Sequence, residues 1–174
     1  MGRGHLPAGE SPTPRATPVR AFVLRFVGVV AVLEAIVLLV LQHDPVFEPY
    51  AVWNARLTAV LLGPLLDGAQ AMGGSLFAPG FSISIRPGCD AYEACAVLVA
   101  GIVAFPAPAG RKWVGVLVGV ACLLVVNLLR LAALLWTGVH HPDLFEAMHL
   151  EILPVLLVAV SLGLLIGWAL WARA

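Results

Sequence analysis

The chain has 174 residues, of which 61% are hydrophobic and only 11% charged, with a mean hydropathy of +0.98. A soluble domain carries about a quarter charged residues and about half apolar ones, so this composition excludes that class. Ten Lys and Arg balance ten Asp and Glu, which leaves no basic face for nucleic acid. Three cysteines, with Cys95 and Cys122 in apolar runs, argue against a disulfide framework.

Residues 1–19 scatter glycine and proline among polar and basic side chains, too little apolar surface to fold, and are expected to form a disordered cytoplasmic arm. Residues 20–174 then make a single integral membrane domain. Residues 21–41 are an apolar run long enough to cross a hydrocarbon core about 30 Å thick. A secretory signal has a shorter apolar core and a small-residue cleavage site, so this run reads as an uncleaved first transmembrane helix. Residues 50–88 are ambiguous, being interrupted by Arg56, Pro64, Asp67, Gly68, Gly73, Gly74, Pro79 and Gly80. Within them 57–66 is apolar but short, and 81–86 alternates apolar and polar residues like a strand or hairpin outside the hydrocarbon.

Three more long apolar stretches follow, at 89–105, 113–136 and 150–171. Whether 57–72 crosses decides the topology. If it is re-entrant or interfacial, then Arg3, Arg15, Arg20, Arg25, Arg111, Lys112 and Arg173 all fall on the cytoplasmic side, as the positive-inside rule prefers. The expected fold is an all-α polytopic membrane protein. It has about four transmembrane helices, a broken re-entrant or interfacial segment, and a short extracytoplasmic hairpin before Cys89.

This topology brings three reactive residues to one depth. Arg130 stands about 27 Å along its helix from Lys112, near the outer boundary. Cys89 is expected to open the helix that ends near Pro106, with Pro87-Gly88 as its entry, and His149 to open the helix that ends at Arg173. Such a trio suits cysteine acyl transfer. A thiolate is the nucleophile and a helix N-terminus favours it, whereas Asp90 and Glu93 in the same turn oppose it by their charge. Arg130 offers a fixed fork of donors for a developing oxyanion. Asn127, one turn earlier, shares its face and either orients it or touches the substrate backbone. His149 is a proton carrier for the leaving amine.

Simpler roles exist for the same residues. Arg130 can snorkel to headgroups, and Cys95 and Cys122 can be inert packing. Glu34 turns into the bundle, protonated or paired. His140 and His141 read as a solvated loop, with a metal or haem site built from them and His149 as a minor alternative. Trp113, Trp136, Trp168 and Trp171 read as interfacial belt residues. No HExxH, GxSxG, phosphate loop or GxGxxG occurs, so no metal or cofactor is expected, and GxxxG-like spacings imply close helix packing.

The block Gly88-Cys89-Asp90-Ala91-Tyr92-Glu93-Ala94, the apolar helix ending Ala104-Phe105-Pro106, then Asn127-Leu128-Leu129-Arg130, Phe145 and His149 resembles the exosortase/archaeosortase family, most closely its compact H-type exosortases. The resemblance covers about residues 57–171. It implies a membrane cysteine transpeptidase of the bacterial cytoplasmic membrane that cleaves C-terminal sorting signals at the outer face. By position, Cys89 matches the family nucleophile, Arg130 its arginine and His149 its histidine. The chain departs from the family after the cysteine, where Asp90 and Ala91 stand in place of a small or amide residue and a glycine. The implied partners are membrane-tethered precursors with an Ile-Pro-Thr-Leu-like motif, a transmembrane helix and a basic tail, besides the lipid bilayer itself. The alternative is a non-enzymatic accessory subunit or scaffold in which Arg130 pairs with Glu93 or a partner's carboxylate.

Overall fold

The computed structural model describes residues 18–41, 44–66 and 68–173. Most of the arm expected over 1–19 lies outside them, but Pro18 and Val19 are already helical. Proline at the start of a helix has no lost bond to regret, since its N–H would be unpaired there anyway. Helix α1 (Pro18–Ile36) continues through a π-helical turn at Val37–Leu41. Its apolar side chains, among them Val23, Leu24 and Val27, are exposed, as expected of a helix whose solvent is lipid.

The ambiguous region resolves into a helix and a sheet. Helix α2 (Asp44–Leu62) buries Ala51, Asn54, Ala55, Thr58 and Leu62, which fall at helical spacing. Small and polar residues make up that face, so hydropathy alone does not reveal it. The helix ends at Gly63 and Pro64, and 57–72 is no continuous helix. Strands β1 (Gln70–Met72), β2 (Ser75–Ala78) and β3 (Phe81–Ser84) follow as an antiparallel meander. Gly73-Gly74 and Pro79-Gly80, which look like chain breakers in the sequence, are the two-residue turns that join the strands. The expected hairpin is therefore one strand larger than the alternation at 81–86 indicated.

Three helices are long and apolar enough to cross a membrane: Val19–Leu39, Ala109–His140 and Pro142–Arg173. The fourth apolar stretch is shorter than expected, because helix α3 (Tyr92–Ala104) has 13 residues and begins three positions after Cys89. It is the hub of the bundle, packed against α1, helix α4 (Ala109–His140) and helix α6 (Leu153–Arg173). A 3-10 turn (Pro142–Leu144), a short helix α5 (Phe145–Ala147) and a π-helical turn (Met148–Ile152) lead from α4 into α6. Gly115 and Gly119, at GxxxG spacing on α4, lie against Trp168 and Leu98, which is the close packing expected of that motif.

One end of this bundle is tied by polar contacts. Trp168 Nε1 donates to the Arg111 carbonyl at 3.0 Å and Arg111 to the Ala172 carbonyl at 2.8 Å. Lys112 Nζ reaches the Val103 carbonyl at 2.7 Å, in the last turn of α3, where a cation is favoured. Trp168 is buried and hydrogen-bonded, so it packs the bundle.

Candidate active site

Cys89 does not open α3. Arg86-Pro87-Gly88-Cys89 is a β-turn in which the Cys89 N–H donates to the Arg86 carbonyl at 2.9 Å. Gly88 has φ +94, and proline followed by a residue of positive φ is the type II signature. Pro87-Gly88 thus turns the chain out of the sheet and is no helix entry. The next residues add a second turn: the Tyr92 N–H donates to Asp90 Oδ1 at 3.2 Å, and buried Ala91 is left-handed at φ 60. A side chain in that conformation costs on the order of 1 kcal/mol or more, and only surrounding contacts keep it there. Asp90 therefore takes an N–H from the first turn of α3.

Two side chains, buried Asn127 and half-buried Tyr50, hold this double turn. Asn127 Nδ2 donates to the Cys89 carbonyl at 3.2 Å, and the Tyr50 hydroxyl donates to the Asp90 carbonyl at 2.8 Å. The same Asn127 amide lies 3.5 Å from the Tyr50 hydroxyl, and Asn54 donates to the Tyr50 carbonyl. Asn127 is wholly buried. It holds the turn of Cys89 and makes no hydrogen bond to Arg130. Burial first, and then the Asp90 carboxylate, push the Tyr50 phenol upward, which keeps it a neutral donor at pH 7. Tyr50 went unnoticed in the sequence because its partner is a backbone carbonyl forty residues away. A hydroxyl two turns before an Arg in a helix with a small-residue face carries no motif.

His149 lies inside a continuous helical rod and does not open it. Its π-helical turn closes with the Leu153 N–H on the Met148 carbonyl, and the next residue is Pro154. Proline lacks an N–H and crowds the carbonyl four residues before it, which an extra residue in the turn relieves. The imidazole stacks on Phe145 with ring centroids 5.6 Å apart and planes 9° from parallel. Phe145 in turn meets Phe81 of β3 edge-on at 4.9 Å. Gly138 makes room for that ladder, since a Cβ there would enter the Phe81 ring.

Cys89 and His149 share one cavity of about 460 Å³, walled by β3, Arg86, Pro87, Phe145 and the α4 residues Leu131 and Leu134. Cys89 and His149 are both half-buried, and His149 Nδ1 has no partner. Arg130 is 7% exposed with an unpartnered Nε, and it does not line the cavity, although the next residue, Leu131, does. Glu93 is exposed and Asp90 half-buried, and neither lines the cavity. His140 stacks on Trp136 at 4.0 Å and contacts its carbonyl, and His141 is exposed just beyond α4. Among the described residues no three His, Cys, Asp or Glu side chains gather as a metal site would require, His140, His141 and His149 included.

The chain matches no family model, and neither the curated proteins nor the solved structures contain a significant match to it.

Proposed function

We propose that the protein is a membrane cysteine transpeptidase or protease that cleaves C-terminal sorting signals of exported proteins through a thioester acyl-enzyme. The observation that carries the proposal is the cavity shared by Cys89 and His149, with Arg130 buried on α4 next in the chain to the cavity residue Leu131. A nucleophile, a proton carrier with an open ring nitrogen and a fixed cation are the three parts that acyl transfer needs. The Cys89 thiol gives its proton to His149 and its sulfur bonds the scissile carbonyl carbon. Arg130 stabilises the oxyanion while the C–N bond breaks, and the departing amine takes the proton from His149. Water or an incoming amine, deprotonated by His149, then releases the acyl group from sulfur. Asn127 and Tyr50 hold the nucleophile's turn, and Asp90 closes it.

The proposed setting is the bacterial cytoplasmic membrane, crossed by α1, α3, α4 and α6 with both termini cytoplasmic. Arg111, Lys112 and Arg173 mark the inner side, and α2 and the sheet lie at the outer face with the cavity. The proposed substrates are membrane-tethered precursors with an Ile-Pro-Thr-Leu-like motif, a transmembrane helix and a basic tail. Arg130 Nε finds no partner among the described residues, so the competing accessory-subunit role would rest on a carboxylate from a partner protein.

The test is co-expression with such a precursor and a search for a hydroxylamine-sensitive adduct. Wild type is expected to form the adduct and release processed precursor. Cys89→Ala should do neither, while accumulating normally in the membrane. Processing that continues in Cys89→Ala would sink the assignment and put the accessory role first.

A further inference from the structure

β3 is an outer strand: the sheet order is β1-β2-β3, and among the described residues no further strand lies beside it. An outer strand leaves alternate residues with unpaired backbone groups, and the register says which. The Ile85 N–H donates to the Gly74 carbonyl at 2.9 Å, so Ile85, and by alternation Ile83 and Phe81, face β2. The Pro79-Gly80 turn closed by Ala78 and Phe81 requires the same parity. Ser75 and Ser84 bring their hydroxyls to 2.9 Å, the closer side-chain spacing of a pair that exchanges no backbone bonds. Ser82 and Ser84 therefore direct N–H and C=O away from β2, and among the described residues nothing bonds to them. Both line the cavity of Cys89 and His149.

Natural edges are usually blunted by charge, proline or a bulge. β3 reads Phe-Ser-Ile-Ser in unbroken register; it is short, at four residues, and charge and proline come only after it, at Arg86 and Pro87. We infer that β3 is a docking strand. The substrate polypeptide adds to it as a fourth, extended strand, recognised through the backbone groups of Ser82 and Ser84, and is led to Cys89 at the end of the same segment. Only a peptide backbone repeats donors and acceptors every second residue, about 7 Å along a strand, and so meets both serines at once. The inference takes the peptide nature of the occupant from the proposed function and adds its conformation and the strand that reads it.

A Cys89→Ala, Ser84→Cys protein is co-expressed with a precursor bearing an Ile-Pro-Thr-Leu motif, a transmembrane helix and a basic tail. A set of precursor variants places one cysteine at each successive position around the motif, and mild oxidation follows. An added strand gives disulfide cross-links at alternate positions, because its side chains alternate between faces. No cross-link, or equal cross-linking at successive positions, overturns the inference. Cross-links between two copies of the protein overturn it as well, assigning the edge to self-pairing. The same protein without Ser84→Cys reports any contribution of Cys95 and Cys122. In the Ser84→Cys background, Ser82→Pro removes one outward N–H and leaves Phe81 and Ile83 bonded to β2, a position where an edge accommodates proline. It lowers the cross-linked fraction about tenfold with membrane accumulation retained; an unchanged fraction counts against the docking strand. Should Ser82→Pro fail to accumulate, the alternation in the cysteine scan alone decides. Processing of the same precursor by the wild type reads the proposed function separately. Periodic cross-links without processing leave the docking strand standing and remove the transpeptidase, and processing without them does the reverse.

Discussion

Two stretches of α4 differ in how far their polar groups are satisfied. At its start, Arg111, Lys112 and the neighbouring Trp168 each spend a donor on a backbone carbonyl, and the helices are tied together there. About 22–27 Å further along, Asn127 Oδ1 and Arg130 Nε, with His149 Nδ1 from the segment after α4, are buried without partners. An unsatisfied buried polar atom costs about 1–3 kcal/mol, so natural interiors hold few of them. Of the three, His149 lines the cavity, and Asn127 and Arg130 stand on α4 within about a turn of its wall residue Leu131; polar atoms left unpaired there mark a place where stability yields to something other than folding. The tied end holds the bundle, and the open end is where the proposed chemistry belongs.

The sharpest way to break this contrast is Arg130→Met. If Arg130 serves chemistry, precursor processing falls by about 100-fold to 1,000-fold. An apolar side chain of similar length in place of a buried, incompletely paired cation leaves thermal stability unchanged or raises it by about 1 kcal/mol. Processing assays and thermal unfolding in detergent check both halves, and a large loss of stability would erase the distinction between the two ends. Tyr50→Phe is the next test. It removes the hydroxyl on the Asp90 carbonyl and keeps the ring, so processing should fall about tenfold and stability by about 1 kcal/mol. The Cys89 adduct should still form, more slowly, and an adduct rate equal to wild type would remove Tyr50 from the support of the turn. The smallest effect is expected at the tied end. Trp168→Phe loses the bond to the Arg111 carbonyl, lowering stability by about 1 kcal/mol in thermal unfolding with processing as in wild type. A processing defect there would mean that the two ends are coupled.

How much was legible depended on the length and polarity of each element. The three long apolar helices and the strand at Phe81–Ser84 announce themselves by hydropathy and period. α2 does not, since its buried face is Ala51, Asn54, Ala55 and Thr58, and neither small nor polar residues raise an apolar signal. The glycine pairs and Pro79 look like breaks until strands flank them. The same limit applied at the site. Cys89, Arg130 and His149 were read to one depth from residue counting along helices of known rise, and Cys89 and His149 do share a cavity. Their local settings differ from that count: the turn at Arg86–Cys89 delays α3 to Tyr92, and the helical segment that carries His149 already begins at Pro142. Phe81 and Tyr50 were missed because their partners are distant in the chain.

By itself, then, the sequence determined that this is a chain of long apolar helices with polar chemistry gathered at one end, because hydropathy and helical rise are properties of contiguous residues. Only the tertiary structure decided that Cys89 sits on a β-turn pinned through backbone carbonyls by Asn127 and Tyr50, and that the outer edge of β3 opens into its cavity. Those features are made by contacts between segments forty residues apart or more, or by the parity of strand pairing, and neither leaves a local pattern to read.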